Sequence, residues 1–558
     1  MTAISRRQLV LAAAAVALQR EAGAADPACY SHPGIGDRNA PLTIDVHAHI
    51  FNGSDLQVKE FIRQVDQDGK SELHGLVTGL GGAFLQWIAW GSAPTAQAEA
   101  QELRSLRSCQ ANDTFDQKTA LAKSSDYERG RAALTSALAS YKQGQGPGKT
   151  LGGGGGKSLP FGVESAIKEL PATYDKYLSD KEKQVGTLGS HPSIRGYIDF
   201  VLHNFNSRFT NATDYFDIYS KNSARKIDLL VPSMVDYDYW LAKGAPTKSP
   251  LKDQVAAMKE ISITSEGRVH GFVCFCPFRE LATTDATGEG DSMRTVRLAI
   301  EESGFIGVKL YPPMGFAAYG NTGLDVWRNK NLPPPSANAD FGAKLDQAMT
   351  RLFEYCLAKD VPVMAHTNAS NTPHKEFKEL TGSDYWGKAL QRFPGLRISF
   401  GHFGDTDMED NLEKRPMSFV ALMGRGAGSP GRNTYADSGY FAGVLQDANA
   451  LRPVLAKLYT ESADKILVER LMYGTDWEMI LAQAHSGGYL AKFVAMMAKL
   501  EQEGVGGVTV PGRSLSDAFF GYNAVEFLGL RSGGNRQRLD QFYAKNSMST
   551  PDWIEKLK

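Results

Sequence analysis

A strand-like run lies near the N-terminus: Ile44-Asp45-Val46-His47-Ala48-His49-Ile50-Phe51. Its β-branched and aromatic residues are typical of a β-strand. Successive side chains of a strand point to opposite faces, so His47 and His49 are predicted to project from the same side. Two imidazoles placed in this way can bind one metal ion. A His-x-His pair by itself also occurs without a metal, so its interpretation depends on the rest of the chain.

Seven further segments of this kind follow along the chain, most of them running into Gly, Pro, Asp or Asn. Eight strands is the number that a (β/α)₈ TIM barrel requires. The predicted strands, including the first, are residues 42–51, 227–235, 269–276, 306–311, 361–366, 397–401, 433–437 and 470–474.

Helical patterns lie between several of these strands, and the clearest covers residues 341–359. A strand follows it at 361–366, which makes a strand-helix-strand unit and predicts a parallel sheet covered by helices. We therefore predict an α/β fold of the (β/α)₈ TIM-barrel type, with a doubly wound open sheet as the alternative. The apolar residues at helical spacing are Leu345, Met349, Leu352, Phe353 and Cys356.

The gap between the first two strands is too long for a simple crossover. We predict that residues 56–224 form an inserted, mainly helical subdomain or lid. The five glycines at 152–156 could suggest a phosphate-binding loop, but that motif needs glycine at Leu151 and a preceding strand. They are interpreted as a flexible linker. The barrel is then formed by residues 41–55 and 225–530, with a C-terminal tail at 531–558.

The length and composition agree with this division. The chain has 558 residues, more than the roughly 250 of one barrel. It contains 42% hydrophobic and 10% aromatic residues and has a formal net charge of -1, as in an ordinary globular protein. Nothing in this charge favours nucleic acid as a partner. The expected partner is a small-molecule substrate, and a homodimer is the default expectation for the oligomeric state.

The first 25 residues have the pattern of a twin-arginine signal peptide. Ser5-Arg6-Arg7-Gln8-Leu9 precedes an apolar, alanine-rich run, and Ala22-Gly23-Ala24 supplies small residues for cleavage. The run is about half as long as a transmembrane helix. The sequence predicts a periplasmic or secreted protein with no stable membrane span after signal removal; an N-terminal membrane anchor is the alternative. A Cys29–Cys109 disulfide is compatible with that compartment and stays open.

Four later strands end in or just before an ionisable residue: Lys309, His366, His402 and Asp476. The carboxyl ends of barrel strands meet at one face, where active sites are built. A single histidine in a buried strand is usually a core residue, and Asp476 alone could cap a helix. Their shared placement with His47 and His49 predicts a metal site.

The order His-x-His, Lys, His, His, Asp resembles the amidohydrolase superfamily. The motifs Asp45-Val46-His47-Ala48-His49 and Gly474-Thr475-Asp476-Trp477 are similar to its amidohydrolase-related (amidohydrolase 2) branch, which includes hydrolases and nonoxidative decarboxylases. Residues 520–527 resemble the closing helix of that branch. The resemblance covers the first strand and about residues 225–530, and it leaves the 56–224 segment unexplained.

The resemblance implies that His47, His49, His366 and Asp476 bind a divalent ion, zinc by preference. Zinc with three neutral nitrogens and a carboxylate retains a position for water and lowers the pKa of that water toward neutrality. The expected activity is hydrolysis of an amide, lactone or ester by metal-bound hydroxide. Asp476 would accept and return the proton, and His402 would bind or polarise the scissile carbonyl.

Lys309 leaves two alternatives open. In one, a carboxylated Lys309 bridges two ions and His402 completes the second site; in the other, the unmodified ammonium neutralises a substrate carboxylate. The second would suit a nonoxidative decarboxylase of a carboxylated aromatic or enoic substrate. A barrel that binds a metal or ligand without catalysis is a third interpretation. Tyr311 and Trp477 are predicted to contact the substrate together with Lys309, and Asp45 either bonds to the second nitrogen of a ligand histidine or is structural.

Overall fold

The computed structural model describes residues 40–58, 60–61, 90–107, 115–142, 163–183, 194–328, 330, 332–333, 336, 339–369, 371–404, 414–505 and 513–557. The predicted signal peptide, the glycine tract at 152–156 and both Cys29 and Cys109 lie outside these ranges. Within them, no helix combines the length and the apolar character needed to cross a membrane.

Eight strands are present in the described residues, and each falls within one of the predicted segments. All paired strands are parallel: β1 pairs with β2, and β3 to β8 form one sheet in sequence order. The prediction of an α/β fold with parallel strands is confirmed. The strands are β1 (Ile44–Ala48), β2 (Leu229–Pro232), β3 (Phe272–Phe275), β4 (Gly307–Leu310), β5 (Val363–His366), β6 (Ile398–Gly401), β7 (Thr434–Asp437) and β8 (Leu471–Met472).

Isolated bridges link the two sheets at both ends. Leu230 bridges to Val269 and Ser233 to Phe272, which places β2 beside β3. On the other side, Ala48 of β1 bridges to Trp477, just beyond β8. The amide of His49 also donates to the carbonyl of Trp477 at 3.0 Å. The carboxyl ends of the first and last strands therefore lie side by side.

The connection from β1 to β2, residues 49–228, is mostly helical where the structure describes it. Its last helix, α6, is capped by the side chain of Ser207 and leads back toward β2. The helices are α1 (Ala96–Arg107), α2 (Phe115–Lys142), α3 (Val163–Lys168), α4 (Tyr174–Lys183), α5 (Ile194–His203) and α6 (Arg208–Asn222).

Helices also separate the later strands, as parallel pairing requires. The helix after β4 has the predicted bounds, 341–359. In order they are α7 (Tyr237–Ala242), α8 (Leu251–Thr264), α9 (Pro277–Thr283), α10 (Asp291–Glu302), α11 (Phe341–Lys359), α12 (Ser383–Arg392), α13 (Lys414–Val420), α14 (Gly443–Gln446), α15 (Ala448–Glu461), α16 (Tyr489–Gln502), α17 (Leu515–Asp517), α18 (Asn523–Leu528), α19 (Gly534–Lys545) and α20 (Asp552–Glu555).

A buried ionic cluster fixes the start of α6. The guanidinium of Arg208 donates from Nε to Asp55 Oδ2 at 2.8 Å and from Nη1 to Glu99 Oε2 at 2.7 Å. All three side chains are buried. A buried charge is tolerated only when it is paired and hydrogen-bonded. The cluster thereby ties α1 and α6 to the loop that follows β1.

The C-terminal residues pack at the opposite edge of the strands. Trp553 Nε1 donates to the carbonyl of Gly267 at 2.8 Å, and His270 Nε2 lies 2.8 Å from the hydroxyl of Tyr543. Gly267 and His270 both precede β3. The region predicted as a tail thus covers the amino ends of the strands and leaves their carboxyl ends to the functional site.

Candidate metal centre

Three of the predicted ligands converge where β1 and β8 end. The potential ligand atoms of His47, His49 and Asp476 all lie within 4.8 Å of one another, and all three residues are buried. Asp476 Oδ1 is 3.2 Å from His49 Nε2 and 3.7 Å from His47 Nε2. These distances let the three groups approach a common cation.

His366 and His402 lie directly beside this group, at the ends of β5 and β6. His366 Nδ1 is 3.0 Å from His402 Nε2, and the ring centroids of His402 and His47 are 4.5 Å apart. His366 is not among the three residues whose ligand atoms mutually lie within 4.8 Å. Its Nε2 is buried and has no hydrogen-bond partner among the described residues.

The hydrogen bonds of these histidines determine which nitrogen carries a lone pair. Ser233 O lies 2.8 Å from His49 Nδ1, and Gly439 O lies 2.9 Å from His402 Nδ1. A carbonyl only accepts, so each Nδ1 is protonated and each Nε2 is not. His402 Nε2 then accepts from His366 Nδ1, which leaves His366 Nε2 with its lone pair.

Burial keeps these rings neutral. Desolvation lowers the pKa of His49, lowers that of His366 well below its usual range, and lowers that of His402 to about 3. The Nε2 lone pair of His49 therefore faces a carboxylate oxygen, an arrangement that is repulsive without a cation. Neutral imidazole nitrogens with a carboxylate are the donors that zinc and related ions prefer, so these residues fit a divalent metal.

Lys309 projects from β4 into the same site. Its Nζ lies 3.2 Å from His47 Nε2 and 3.1 Å from Met364 Sδ. Burial lowers the pKa of the Lys309 amine to about 8. The structure thus places all six histidine, lysine and aspartate positions of the predicted set at one edge of the strands.

Asp437, the last residue of β7, is a site residue that the sequence analysis missed. Its Oδ1 accepts hydrogen bonds from His47 Nδ1 at 2.7 Å and from the amides of Gly439 at 3.0 Å and His402 at 3.2 Å. Burial raises the pKa of Asp437, but the contact and hydrogen bond with His47 outweigh burial and lower the pKa to about 2. The carboxylate fixes the Nδ1–H tautomer of His47 and frees Nε2 for a metal.

Asp45 does not bond to the second nitrogen of a ligand histidine, which was one of its two predicted roles. Its Oδ2 accepts from the hydroxyls of Tyr215 and Thr475, both at 2.6 Å, and its Oδ1 accepts from the His47 amide at 3.0 Å. The register of β1 against β2 shifts between Asp45 and Ala48. A bulge of this kind interrupts strict alternation, so Asp45 bonds toward α6. The structural alternative is correct.

Three glycines enclose the ring of His47. A Cβ at Gly439 would lie 2.5 Å from His47 Nδ1, one at Gly474 would lie 2.7 Å from His47 Cβ, and one at Gly401 would lie 3.0 Å from His47 Cε1. Carbon atoms in contact are normally about 3.5–4.0 Å apart. Side chains at these positions would displace the imidazole.

Tyr311 and Trp477, the two aromatic residues predicted to bind substrate, have different surroundings. The ring centroid of Tyr311 is 4.5 Å from that of His366, so Tyr311 borders the site. Trp477 is fully buried, with its ring packed against Tyr215 and Tyr219 of α6. Its surroundings are those of a packing residue, and they lend no support to a contact with substrate.

Sequence reasoning did not single out two further aromatic residues, which pack against the aromatic rings beside the site. The ring centroids of Trp240 and Tyr311 are 4.7 Å apart, and those of Tyr237 and Phe51 are 5.7 Å apart. Tyr237 and Trp240 belong to the short helix α7, directly after β2. Their position after a strand's carboxyl end was the available signal, because such loops face the active side.

Part of the chain matches a known family. Residues 260–530 match the family described as amidohydrolase. No curated protein matches the chain.

The solved structures that the comparison finds include a hydrolase and two decarboxylases. A probable 2-pyrone-4,6-dicarboxylic acid hydrolase from Acinetobacter baumannii is 12% identical, with 57% of this chain and 88% of that chain covered and a TM-score of 0.32. A 5-carboxyvanillate decarboxylase from Sphingomonas paucimobilis is 11% identical, with 64% and 96% covered and a TM-score of 0.33. The decarboxylase from Novosphingobium aromaticivorans, solved with manganese, is 13% identical, with 57% and 80% covered and a TM-score of 0.30.

Proposed function

We propose that the protein is a metal-dependent hydrolase that cleaves an amide, lactone or ester, in keeping with the match of residues 260–530 to the family described as amidohydrolase. The observation that carries this proposal is the convergence of His47, His49 and Asp476, whose ligand atoms lie within 4.8 Å of one another. His47 and His49 belong to the first strand region and Asp476 follows the last strand, so residues far apart in sequence meet at one buried point.

The proposed ion is divalent, with zinc as the preferred metal, and is held by His47, His49, His366 and Asp476. The unpartnered Nε2 of His366 and Oδ1 of Asp476 support this assignment, since buried polar atoms normally have partners. Lys309 and His402 would complete a second site if the lysine is carboxylated. When bound, a zinc ion supplies Lewis acidity toward a carbonyl and toward water.

Asp476 is suited to move the proton. Burial alone would raise its pKa, but the close approach of the His49, His402 and His47 rings outweighs burial and holds the pKa of Asp476 well below the ordinary value. The carboxylate is therefore ionised at neutral pH and can accept a proton from the attacking water and return it to the leaving group.

The tautomer of His402 bears on its role. Because Nδ1 donates to Gly439 O, Nε2 carries a lone pair and cannot donate a hydrogen bond to a carbonyl. That lone pair accepts from His366 Nδ1, so His402 is suited to orient His366 rather than to polarise the scissile carbonyl, and it could bind a second ion only if this bond were broken.

We also infer that the eight strands close into a (β/α)₈ barrel and that residues 56–224 are inserted between the first two. The bridges from Leu230 to Val269 and from Ala48 to Trp477 support closure, because they join β2 to β3 and β1 to the end of β8. A barrel of this type places its catalytic residues at the carboxyl ends of the strands, where the candidate metal centre lies.

The proposed location is the periplasm or the outside of the cell. It rests on the twin-arginine pattern of residues 5–24. Fractionation of cells that express the full chain tests it, with replacement of Arg6 and Arg7 by lysine as the control that should retain the protein inside.

The test of the hydrolase combines metal analysis with a substrate panel. Purified protein is expected to contain zinc and to hydrolyse a member of a panel of esters, lactones and amides. Asp476→Asn is expected to keep the metal through the histidines but to lose about 10²–10⁴-fold in kcat, the usual contribution of a general acid-base group. A variant that hydrolyses the substrate at the normal rate would contradict the role given to Asp476.

A nonoxidative decarboxylase is the second candidate, and the surroundings of Lys309 favour it. Lys309 is buried in the site, and within the described ranges no carboxylate lies within ion-pair distance of its amine. A substrate carboxylate would provide the missing partner.

The metal count and the intact mass separate the candidates. One ion, an unmodified Lys309 and release of CO₂ from carboxylated aromatic acids would support the lyase. Two ions and a carboxylated Lys309 would support the hydrolase. A fully metal-loaded protein that is silent toward every panel would indicate a barrel that binds without catalysis.

A further inference from the structure

Residues 475–478, which we call the ligand loop, have a backbone that needs support from outside. Asp476 has a φ of 57° and Glu478 has a φ of 68°. Non-glycine residues are strained in such conformations, which persist only where the surrounding structure holds them. The loop follows the two-residue strand β8, which offers few ladder hydrogen bonds of its own.

Thr475, at the start of the loop, is held through Asp45 by helix α6. The Thr475 hydroxyl donates to Asp45 Oδ2 at 2.6 Å, and the Tyr215 hydroxyl donates to the same oxygen at 2.6 Å. The side chains of all three residues are buried. Tyr215 therefore fixes the carboxylate that in turn fixes Thr475.

Trp477, on the other side of Asp476, packs against the same helix. Its ring centroid lies 5.2 Å from that of Tyr215 and 5.6 Å from that of Tyr219, both in edge-on arrangements. The indole has no exposed surface. Edge-to-face packing of this kind restricts the ring and hence the backbone that carries it.

Glu478, at the end of the loop, bonds to α6 directly. Its Oε1 accepts from Asn211 Nδ2 at 3.1 Å and from the amide of Phe51 at 3.3 Å. Asn211 Nδ2 also lies 3.1 Å from the carbonyl of Phe51. This contact joins the ligand loop, α6 and the residues just after His49.

We propose that helix α6 positions the metal centre, and that Tyr215 and Asn211 are the positioning residues that hold Asp476 against His47 and His49. Each residue of the ligand loop other than Asp476 is held by α6, either directly or through Asp45. The β1–β2 connection would thus be part of the active-site framework. This inference rests on the proposed function, because it matters only where Asp476 is a metal ligand.

The test compares Tyr215→Phe with Tyr219→Phe. Tyr219 lies one turn along the same helix, is equally buried, and its hydroxyl donates to the carbonyl of Ser486 at 3.2 Å, beyond the ligand loop. Each variant loses one buried hydroxyl and keeps its ring on Trp477. The measurements are the zinc dissociation constant by competition with a chelator, the Tm of the metal-free protein, and kcat and KM separately.

Tyr215→Phe is expected to weaken zinc binding by about tenfold or more, as is typical when a supporting partner of a ligand is lost. Tyr219→Phe is expected to leave zinc affinity unchanged and to lower the Tm of the metal-free protein by about as much as Tyr215→Phe does. Asn211→Ala, which removes the bond to Glu478, is expected to weaken zinc binding as Tyr215→Phe does.

Equal zinc affinities in the two tyrosine variants, with both melting at lower temperature, would overturn the positioning role and leave α6 as a packing element. Wild-type protein that binds no zinc would instead contradict the proposed function. If Tyr215→Phe fails to fold, Thr475→Val tests the same connection from the loop side and is expected to weaken zinc binding to the same degree.

Discussion

At the scale of single residues, Asp437 organises the candidate centre without being one of its predicted ligands. Its carboxylate accepts from four donors, including His47 Nδ1 and the hydroxyl of Ser399 at 2.9 Å. Asp437 lies at the end of a predicted strand, just as Lys309 and His366 lie at or near the ends of theirs. The criterion that selected those residues would have selected Asp437 too, but its role as a second layer behind His47 depends on the folded geometry of β6, β7 and β1.

Asp437→Asn is expected to lower zinc affinity by about 10–100-fold, because the amide keeps the shape of the carboxylate but not its charge. Asp346→Asn is a matched control. Asp346 is also a buried carboxylate with several donors, and it holds the loop at 320–322, away from the centre. Titration of zinc into the metal-free proteins measures the effect. A loss of zinc affinity in the Asp346 variant equal to that in the Asp437 variant would show that general destabilisation is responsible.

At the scale of elements, the strands and the helical character of the β1–β2 connection were predictable, and the contacts that this connection makes with the site were not. Short runs of β-branched residues that end in turn residues identify buried strands locally, and the helix at 341–359 follows from its own periodicity. The contacts of α6 with Asp45 and Glu478 join residues more than 160 positions apart. No local pattern encodes such pairs, so the support of the ligand loop could not be derived from sequence.

The buried cluster at the start of α6 predicts a large loss of stability when its cation is removed. Arg208→Met would leave Asp55 and Glu99 buried without their partner, which typically costs about 3–5 kcal/mol. Arg294→Met is the control, because its ion pairs with Asp285 and Asp291 are exposed and it should leave stability unchanged. Urea unfolding of both variants provides the comparison. Equal stabilities would contradict the anchoring role of the cluster.

His270, just before β3, is expected to make the stability of the fold depend on pH. His270 is buried between the carbonyl of Gly304 and the hydroxyl of Tyr543, and burial lowers its pKa from 6.5 to about 4. Between these values the unfolded chain binds a proton that the folded chain refuses, so stability falls as the pH drops from about 6.5 to about 4. The shift corresponds to about 3 kcal/mol.

His270→Gln is expected to reduce the slope of the unfolding free energy against pH in this range, by the equivalent of up to one bound proton. Urea unfolding at several pH values between 7 and 4 measures the slope for both proteins. The variant starts from a lower stability, so the slopes are compared rather than the absolute free energies. Identical slopes would show that another group is responsible for the acid sensitivity.

At the scale of the whole molecule, the candidate metal centre lies where the first and last strands of the order meet. His47 lies in β1, His366 ends β5, and Asp476 follows β8. An ion bound by all three stabilises only the folded state, by about 4 kcal/mol at a free concentration one thousand times the dissociation constant. A chelator is therefore expected to lower the Tm of the native protein, and added zinc is expected to restore it.

His49→Gln is the control for this measurement, since it removes one of the three converging ligands. Its Tm is expected to respond weakly to chelator or zinc. A native protein whose Tm is unaffected by both reagents would contradict a metal shared between the first and last strands.

The separation of the ligands along the chain also orders events during synthesis. His47 and Asp476 are 429 positions apart, and seven of the eight strands, β2 to β8, lie between them in the sequence. A polypeptide that is still being synthesised contains His47 and His49 long before Asp476 is added. Metal capture by the complete donor set is consequently a late step, possible only after nearly the entire polypeptide has emerged and its ends have met.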